Sequence, residues 1–308
     1  MANWLVTGGC GFIGSHLVEA LLRRGDTVRV LDDLSSGKRS NIPGEVDLIV
    51  GDIADSQVVA DAVAGVAGIF HLAAIASVER CRQDWLGCHR TNLTGTIAIF
   101  EAAGRLGSGS PIPVVYASSA AVYGDQSQMP LSESTVPRPL SAYGADKLAC
   151  ELNGNVAWLV HRVPNVGLRF FNVYGPRQDP SSPYSGVIAI FASSIAARRD
   201  IRIFGDGRQT RDFIYVADVV THLVSAMATL RQGARVFNVC TGHGTSITEL
   251  ATAISELAGV PLSVRHEPAR VGDIRVSTGD PTAAIAAFGL ETRTALAEGL
   301  AHTLKFSA

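Results

Sequence analysis

The chain has 308 residues, 47% hydrophobic and 18% charged, which excludes a disordered polymer and supports one large α/β domain or a pair. With 26 Lys plus Arg against 28 Asp plus Glu, the net charge is -2, so no bulk basic field exists for nucleic acid or an anionic membrane. Any anionic ligand must be held locally. The five cysteines include no C-x-x-C pair and the eight histidines no two within five positions, so neither a disulfide framework nor a metal site is expected. Met1 leads into an apolar run without a basic leader, and no stretch reaches the roughly 18 apolar residues that span a bilayer; a cytoplasmic protein without membrane attachment is expected.

Along the first half, short β-branched runs alternate with helical patterns, the signature of a parallel sheet covered by helices. Strands are predicted at 4–6, 28–31, 47–50, 68–72, 113–117 and 166–171, with helices over 13–24, 84–105 and 141–160. The Gly/Ser/Pro-rich segment 104–113 reads as a loop. After Asn172 the texture changes to an irregular Pro/Ser stretch at 176–183 and shorter elements, where a second, smaller region begins. The run 236–240 still resembles a buried strand and is expected to return to the first sheet. The fold class is therefore α/β: a Rossmann-type doubly wound parallel sheet over 1–171, with a return at 213–241, and a smaller C-terminal α/β region over 172–308.

The loop Thr7-Gly8-Gly9-Cys10-Gly11-Phe12-Ile13-Gly14 lies between the first strand and the first helix. In that context backbone N–H groups and the positive helix end aim at a pyrophosphate. Gly11 would let the backbone approach the phosphates, and Gly14 would let the helix pack closely on the strand. Asp32, 18 residues beyond Gly14, is placed to accept hydrogen bonds from the adenosine ribose and would repel a 2′-phosphate, which favours NAD over NADP. Lys38 and Arg39 keep NADP open. Asp33 adjoins Asp32 and is expected to share its turn, while Asp52 and Ile53, after the third strand, lie where an adenine would sit.

Tyr143 and Lys147 form a Y-x-x-x-K pair that a helix carries on one face. A free phenol titrates about 3 units above neutrality, about 4 kcal/mol, and a neighbouring ammonium together with an oxidised nicotinamide can supply that difference. Ser118 and Ser119 follow the fifth strand at its carboxyl end, where one of the two hydroxyls could relay a proton between substrate and Tyr143.

These residues identify a resemblance to the extended short-chain dehydrogenases/reductases, NAD-dependent epimerase/dehydratase type, in the branch of UDP-sugar 4-epimerases. It covers essentially the whole chain: TGGCGFIG at 7–14, HLAA at 71–74, YASSAAVYG at 116–124, YGADK at 143–147, LRFFNVYGPRQDP at 168–180, GDGRQTRDFIYV at 205–216 and RVGDIRVS at 270–277. The resemblance implies Tyr143 as base, Lys147 as its modulator and nicotinamide-ribose ligand, and Ser119 as the hydroxyl that meets the sugar. It also implies a dinucleotide site that includes Gly8, Gly11, Phe12, Ile13, Gly14, Leu72, Ala73, Ala74, Asn92 and Phe170. For the substrate diphosphate it implies Asn172 with Arg211 and Arg270, guanidinium forks suited to phosphate oxygens. Val187, Phe204 and Asp273 correspond to the uridine end.

Two departures discriminate within that family. Relatives that dehydrate hexoses carry an Asp-Glu pair after the catalytic hydroxyl, and this chain has Ala120 and Ala121 there. Many epimerases have a hydroxyl residue at the position of Ala121, so a sugar contact is lost. Ser277 matches a gate position where a small residue admits an N-acetyl group. The expected activity is reversible inversion at C4 of a UDP-hexose, UDP-glucose/UDP-galactose with UDP-N-acetylglucosamine admitted, through a transient 4-keto sugar with tightly held NAD. The alternatives are another NAD-dependent nucleotide-sugar oxidoreductase or a non-catalytic nucleotide-sugar sensor. The resemblance also implies a homodimer packed through the helices at 84–105 and 141–160.

Overall fold

The computed structural model describes residues 2–105, 110–179, 186–269 and 273–307. The first half runs β1 (Asn3–Thr7), α1 (Phe12–Arg23), β2 (Thr27–Asp32), β3 (Asp47–Val50), α2 (Ser56–Val63) and β4 (Gly68–His71). It continues through α3 (Val78–Gln83), α4 (Trp85–His89), α5 (Gly95–Arg105), β5 (Val114–Ser119), α6 (Ala142–His161) and β6 (Asn165–Phe170). The second half comprises β7 (Asn172–Tyr174), α7 (Val187–Ala196), β8 (Ile201–Phe204), β9 (Thr210–Tyr215), α8 (Val216–Thr229), β10 (Ala234–Val239) and β11 (Gly244–Ser246). It closes with α9 (Ile247–Ala258), β12 (Val264–Glu267), β13 (Val276–Ser277), α10 (Thr282–Phe288) and α11 (Leu296–Ser307).

Seven parallel strands form the main sheet in the order β10-β6-β5-β4-β1-β2-β3. Both faces are covered, so alternate strand residues enter different apolar layers, which explains the near-continuous apolar runs. Val6 packs in the layer with Leu17 and Leu21 of α1 and Leu223 and Met227 of α8. Leu5, its neighbour, packs in the layer with Val59 of α2, Ile99 and Phe100 of α5 and Ala157 of α6. The strand order reverses between β1 and β4, and open sheets of this type bind ligands over the carboxyl ends at that reversal. The late run joins the sheet as β10 beside β6, with α8 packed on α1. Phe213, Ile214 and Tyr215, however, belong to β9 of a second sheet.

That second sheet centres on β9, flanked by β11 and β13, with β7 also paired to it. β8 and β12 form a separate parallel pair. Phe191, Ile195, Leu250, Ile254 and Leu300 from α7, α9 and α11 supply the core of this region. No helix of the described residues is long and apolar enough to cross a membrane.

The single helix expected over 84–105 is instead three elements. Asp84 leaves helical conformation, and its carboxylate accepts from the Gly87 N–H at 3.0 Å to start α4. Between α4 and α5 lies a π-helical turn, Arg90–Thr94, centred on the buried Asn92. Such turns interrupt a helix where a side chain is required elsewhere, a demand that apolar periodicity does not register. A second difference concerns Ser118 and Ser119, which are the last two residues of β5 rather than the loop after it.

Candidate active site

The glycine loop is built by contacts that exclude side chains. Gly8 has φ +69°, and a Cβ there would lie 2.7 Å from the Ala73 nitrogen. A Cβ on Gly14 would overlap the Gly8 carbonyl oxygen, so α1 can follow the loop this tightly only with glycine. Gly11 is the N-cap of α1 and supplies no side-chain cap, which leaves the first-turn donors, Phe12 and Ile13 included, to an anionic ligand. A cradle that a single methyl group would fill fits the pyrophosphate of a dinucleotide.

Asp32, 5% exposed, stands beside this loop and braces it. Its two oxygens accept from the Cys10 and Leu34 N–H groups, each at 2.9 Å. Burial raises its pKa, these hydrogen bonds oppose the rise, and neighbouring Asp33 adds to it. The ribose role expected for Asp32 therefore falls to the lone pairs that remain. The Asp33 carboxylate accepts from the Ser35 N–H and hydroxyl, a turn contact. Arg39 spends its guanidinium on the carbonyls of Ile42, Pro43 and Gly44, and Lys38 pairs with Asp179 at 3.9 Å, so both bases that kept NADP open are engaged. Asp52 accepts from Ala54 N–H and pairs with Arg90 at 3.0 Å, while Ile53 is buried against Gly95.

The strand end after β4 is held by two residues. Thr7 binds Leu72 through its carbonyl and Ala73 through its hydroxyl, at 3.1 and 3.2 Å. Asn92 accepts from the Ile75 N–H at 2.7 Å and donates to the Ile75 carbonyl at 3.2 Å, which fixes the chain just beyond Ala74. His71, missed in the sequence, lies between the hydroxyls of Thr7 (2.7 Å) and Thr96 (3.0 Å). Complete burial, with the Lys147 charge nearby, pushes its pKa down to about 3 and keeps it neutral.

Tyr143 and Lys147 occupy the first turns of α6, which Ser141 caps by accepting from the Gly144 N–H at 3.1 Å. A Cβ on Gly144 would be 2.5 Å from the Ala121 carbonyl, so this glycine lets α6 rest against the turn that follows Ser119. Lys147 is 3% exposed, donates to the Ala117 carbonyl at 2.9 Å, and has its Nζ 5.9 Å from the centre of the Tyr143 ring. The two serines divide their roles. Ser118 is buried and donates to Glu151 at 2.5 Å, whereas Ser119 is partly exposed and accepts from the Ala121 N–H at 3.1 Å.

Behind them runs a network absent from the sequence reading. The Arg169 guanidinium holds Glu151 bidentately at 2.8 and 2.7 Å and donates to the Tyr123 hydroxyl at 2.9 Å, which in turn donates to Asn238 at 2.6 Å. The helical spacing of Lys147 and Glu151, and an arginine inside the apolar strand LRFF, were its sequence signals. Phe170 ends β6 in the core.

Strand pairing gathers three of the expected substrate residues. Asn172 opens β7 opposite Phe213 of β9, and Ser277 of β13 stands opposite Arg211 of β9. Arg211 donates to Asp273 at 2.6 Å, so the guanidinium expected at a diphosphate and the carboxylate expected at a uridine are partners in this structure. Val187 begins α7 and Phe204 ends β8. Arg270 lies outside the described residues. Asp212, beside Arg211, is fully buried and accepts from Thr241, Gly242 and Gly279, pinning β9 to the chain after β10.

Residues 4–240 match the family model described as NAD dependent epimerase/dehydratase family. The chain is 41% identical to the UDP-glucose 4-epimerase of Mycolicibacterium smegmatis over 98% of its own length and 97% of that protein's. A UDP-glucose 4-epimerase of Thermotoga maritima, solved with UDP-glucose, superposes with a TM-score of 0.94 at 34% identity, covering 99% of this chain and 98% of the other. The UDP-glucose 4-epimerase of Thermus thermophilus, solved with NAD, gives a TM-score of 0.90 at 35% identity, again covering 99% and 98%. Cradle, sheet reversal, Tyr-Lys helix and similarity over nearly the whole chain converge: the chain belongs to the NAD-dependent epimerase/dehydratase family.

Proposed function

We propose that the chain is an NAD-dependent UDP-hexose 4-epimerase, acting on UDP-glucose and UDP-galactose. One observation carries the reading: Ser119, Tyr143 and Lys147 are brought by β5, Gly144 and α6 to the carboxyl side of the sheet, beside a glycine cradle shaped for a dinucleotide. Similarity to UDP-glucose 4-epimerases over nearly the whole chain supports it.

When bound, NAD supplies a reversible hydride acceptor. Gly8, Gly11, Phe12, Ile13, Gly14, Asp32, Asp33, Asp52, Ile53, Leu72, Ala73, Ala74, Asn92 and Phe170 are the residues we assign to holding it, with Tyr143 and Lys147. Tyr143, as phenolate, takes the proton of the C4 hydroxyl directly or through Ser119. Lys147, fixed on the Ala117 carbonyl, stabilises that phenolate by its buried charge. Asn172 and Arg211, with Arg270, hold the diphosphate while the 4-keto sugar turns its other face; Tyr143 then returns the proton. Arg211 exchanges its contact with Asp273 for phosphate oxygens or shares it. Val187, Phe204 and Asp273 form the uridine end, and the small Ser277 admits an N-acetyl group. Ala120 and Ala121 leave no acid-base pair for dehydration.

Functionally the chain divides into residues 1–171 plus the return, for NAD, and 172–308 for the nucleotide sugar. Leu152, Val156, Leu159 and Val160 of α6 and Ile97 of α5 are exposed in a helical stripe, which supports a homodimer through these two helices. All five cysteines are free and buried, which suits a reducing compartment, the cytoplasm.

NMR of products after incubation with UDP-glucose or UDP-N-acetylglucosamine should show C4 inversion without net change in NAD. Tyr143→Phe should lower kcat by about 10²–10⁴. Full turnover by that variant, or stoichiometric NAD reduction by the wild type, overturns the assignment.

A further inference from the structure

The turn after β7 carries an arginine in a conformation that the backbone does not favour. Arg177 has φ +67°, in the left-handed region where glycine or asparagine is ordinarily found. Its side chain is 12% exposed, and both terminal nitrogens are bound. Nη1 donates to Glu19 at 2.8 Å and to the Asn41 carbonyl at 3.0 Å; Nη2 donates to His16 Nδ1 at 2.8 Å and to Glu19 at 3.0 Å. A guanidinium only donates, so His16 Nδ1 accepts, and the ring's other nitrogen therefore donates to the Pro176 carbonyl at 3.0 Å. Burial lowers the pKa of His16 in the same sense. Four charge-assisted bonds, two of them to a carboxylate, hold the strained backbone in place.

Both anchors of Arg177 lead to the cradle. His16 and Glu19 share one face of α1, whose first turn is the expected pyrophosphate site. Asn41 donates its side-chain amide to the Cys10 carbonyl at 2.8 Å, and Cys10 N–H binds Asp32. On the other side, Arg177 lies five residues after Asn172, the residue of β7 assigned to the substrate diphosphate.

We propose that Arg177 is a positioning residue that latches the turn after β7 onto α1 and the glycine loop, so that bound NAD is retained while this turn is docked and NAD and the nucleotide part of the substrate bind with positive coupling. This rests on the UDP-sugar reading above. UDP held at Asn172 favours the docked turn, the docked turn holds the loop closed on the dinucleotide, and by linkage NAD strengthens UDP binding by the same factor.

The test compares NAD release from wild-type, Arg177→Gln and Arg177→Lys holoenzymes, with and without UDP, together with KM and kcat at saturating NAD. UDP should slow NAD release from the wild type by about 5-fold or more, the range of ordinary coupling. Arg177→Gln should release NAD about tenfold faster, and UDP should no longer slow it. Arg177→Lys, a cation without the fork, should fall between. KM for the UDP-sugar should rise more than kcat falls. An Arg177→Gln protein that melts lower yet keeps the wild-type effect of UDP on NAD release makes Arg177 merely structural and overturns the latch alone. A wild type that binds NAD but not UDP overturns the UDP-sugar reading and the coupling with it.

Discussion

Replacing Arg169 by Met probes the network beneath Ser118 and Ser119. The Arg169 and Glu151 side chains are each 6% exposed; the guanidinium donates two hydrogen bonds to that carboxylate and Ser118 a third. Methionine keeps much of the apolar stem but supplies no donor. Glu151 is then left buried and charged on one hydroxyl, and Tyr123 loses a donor together with a guanidinium 4.7 Å from its ring centre. Breaking a buried pair from one side costs about 3–5 kcal/mol, against a total stability of about 5–15 kcal/mol. The double variant Glu151→Leu/Arg169→Met removes both charges and should recover most of that loss, since an apolar pair of similar volume is often neutral. Urea unfolding of the wild type, both singles and the double gives the coupling as a cycle, expected to be at least as large as the loss in either single, about 3–5 kcal/mol or more, with unchanged slopes. Epimerase kcat should fall in Arg169→Met as Glu151, the partner of Ser118 next to Ser119, loses the guanidinium that holds it in place. A single variant within about 1 kcal/mol of wild type, or a double no more stable than the singles, would refute the idea of a mutually dependent buried unit.

Gly14→Ala places a methyl group on the Gly8 carbonyl and should weaken NAD retention by tenfold or more, read as nucleotide bound to the purified protein; normal NAD content would contradict the close-packed cradle. His71 takes up a proton in the unfolded chain near pH 6.5 but resists it in the fold to about pH 3, so its stabilising contribution is complete above pH 6.5 and declines as pH falls toward 3. From pH 6.5 to 4.5 that is a loss of about 2 kcal/mol, which His71→Gln should remove; identical pH slopes for the two proteins would count against it. Leu159→Glu, at a position 57% exposed on α6, should give monomers in sedimentation while the fold is retained, and a monomeric wild type would dispose of the dimer reading.

Legibility followed the range of the interactions. The alternation of strands and helices, the cradle Gly8 to Gly14 and the Tyr143–Lys147 face could be read directly, because side-chain periodicity and the backbone freedom of glycine are properties of a few consecutive residues. The π turn at Asn92 could not, since the side chain at its centre is bound to the Ile75 backbone 17 positions earlier. Ser118 and Ser119 look equivalent as neighbours; their division of labour is set by Glu151, 33 residues on, which claims one hydroxyl and leaves the other to the site.

By itself the sequence determined the βα order, the dinucleotide cradle and the chemical identity of base and ammonium, all consequences of local pattern. Only the tertiary structure decided which charges are free to meet a ligand. Arg39 is consumed by its own loop, Arg211 faces Asp273 across 62 positions, and Arg177 reaches Glu19 across 158. A guanidinium chooses its partner by distance and desolvation after folding, and neither quantity is written in sequence spacing.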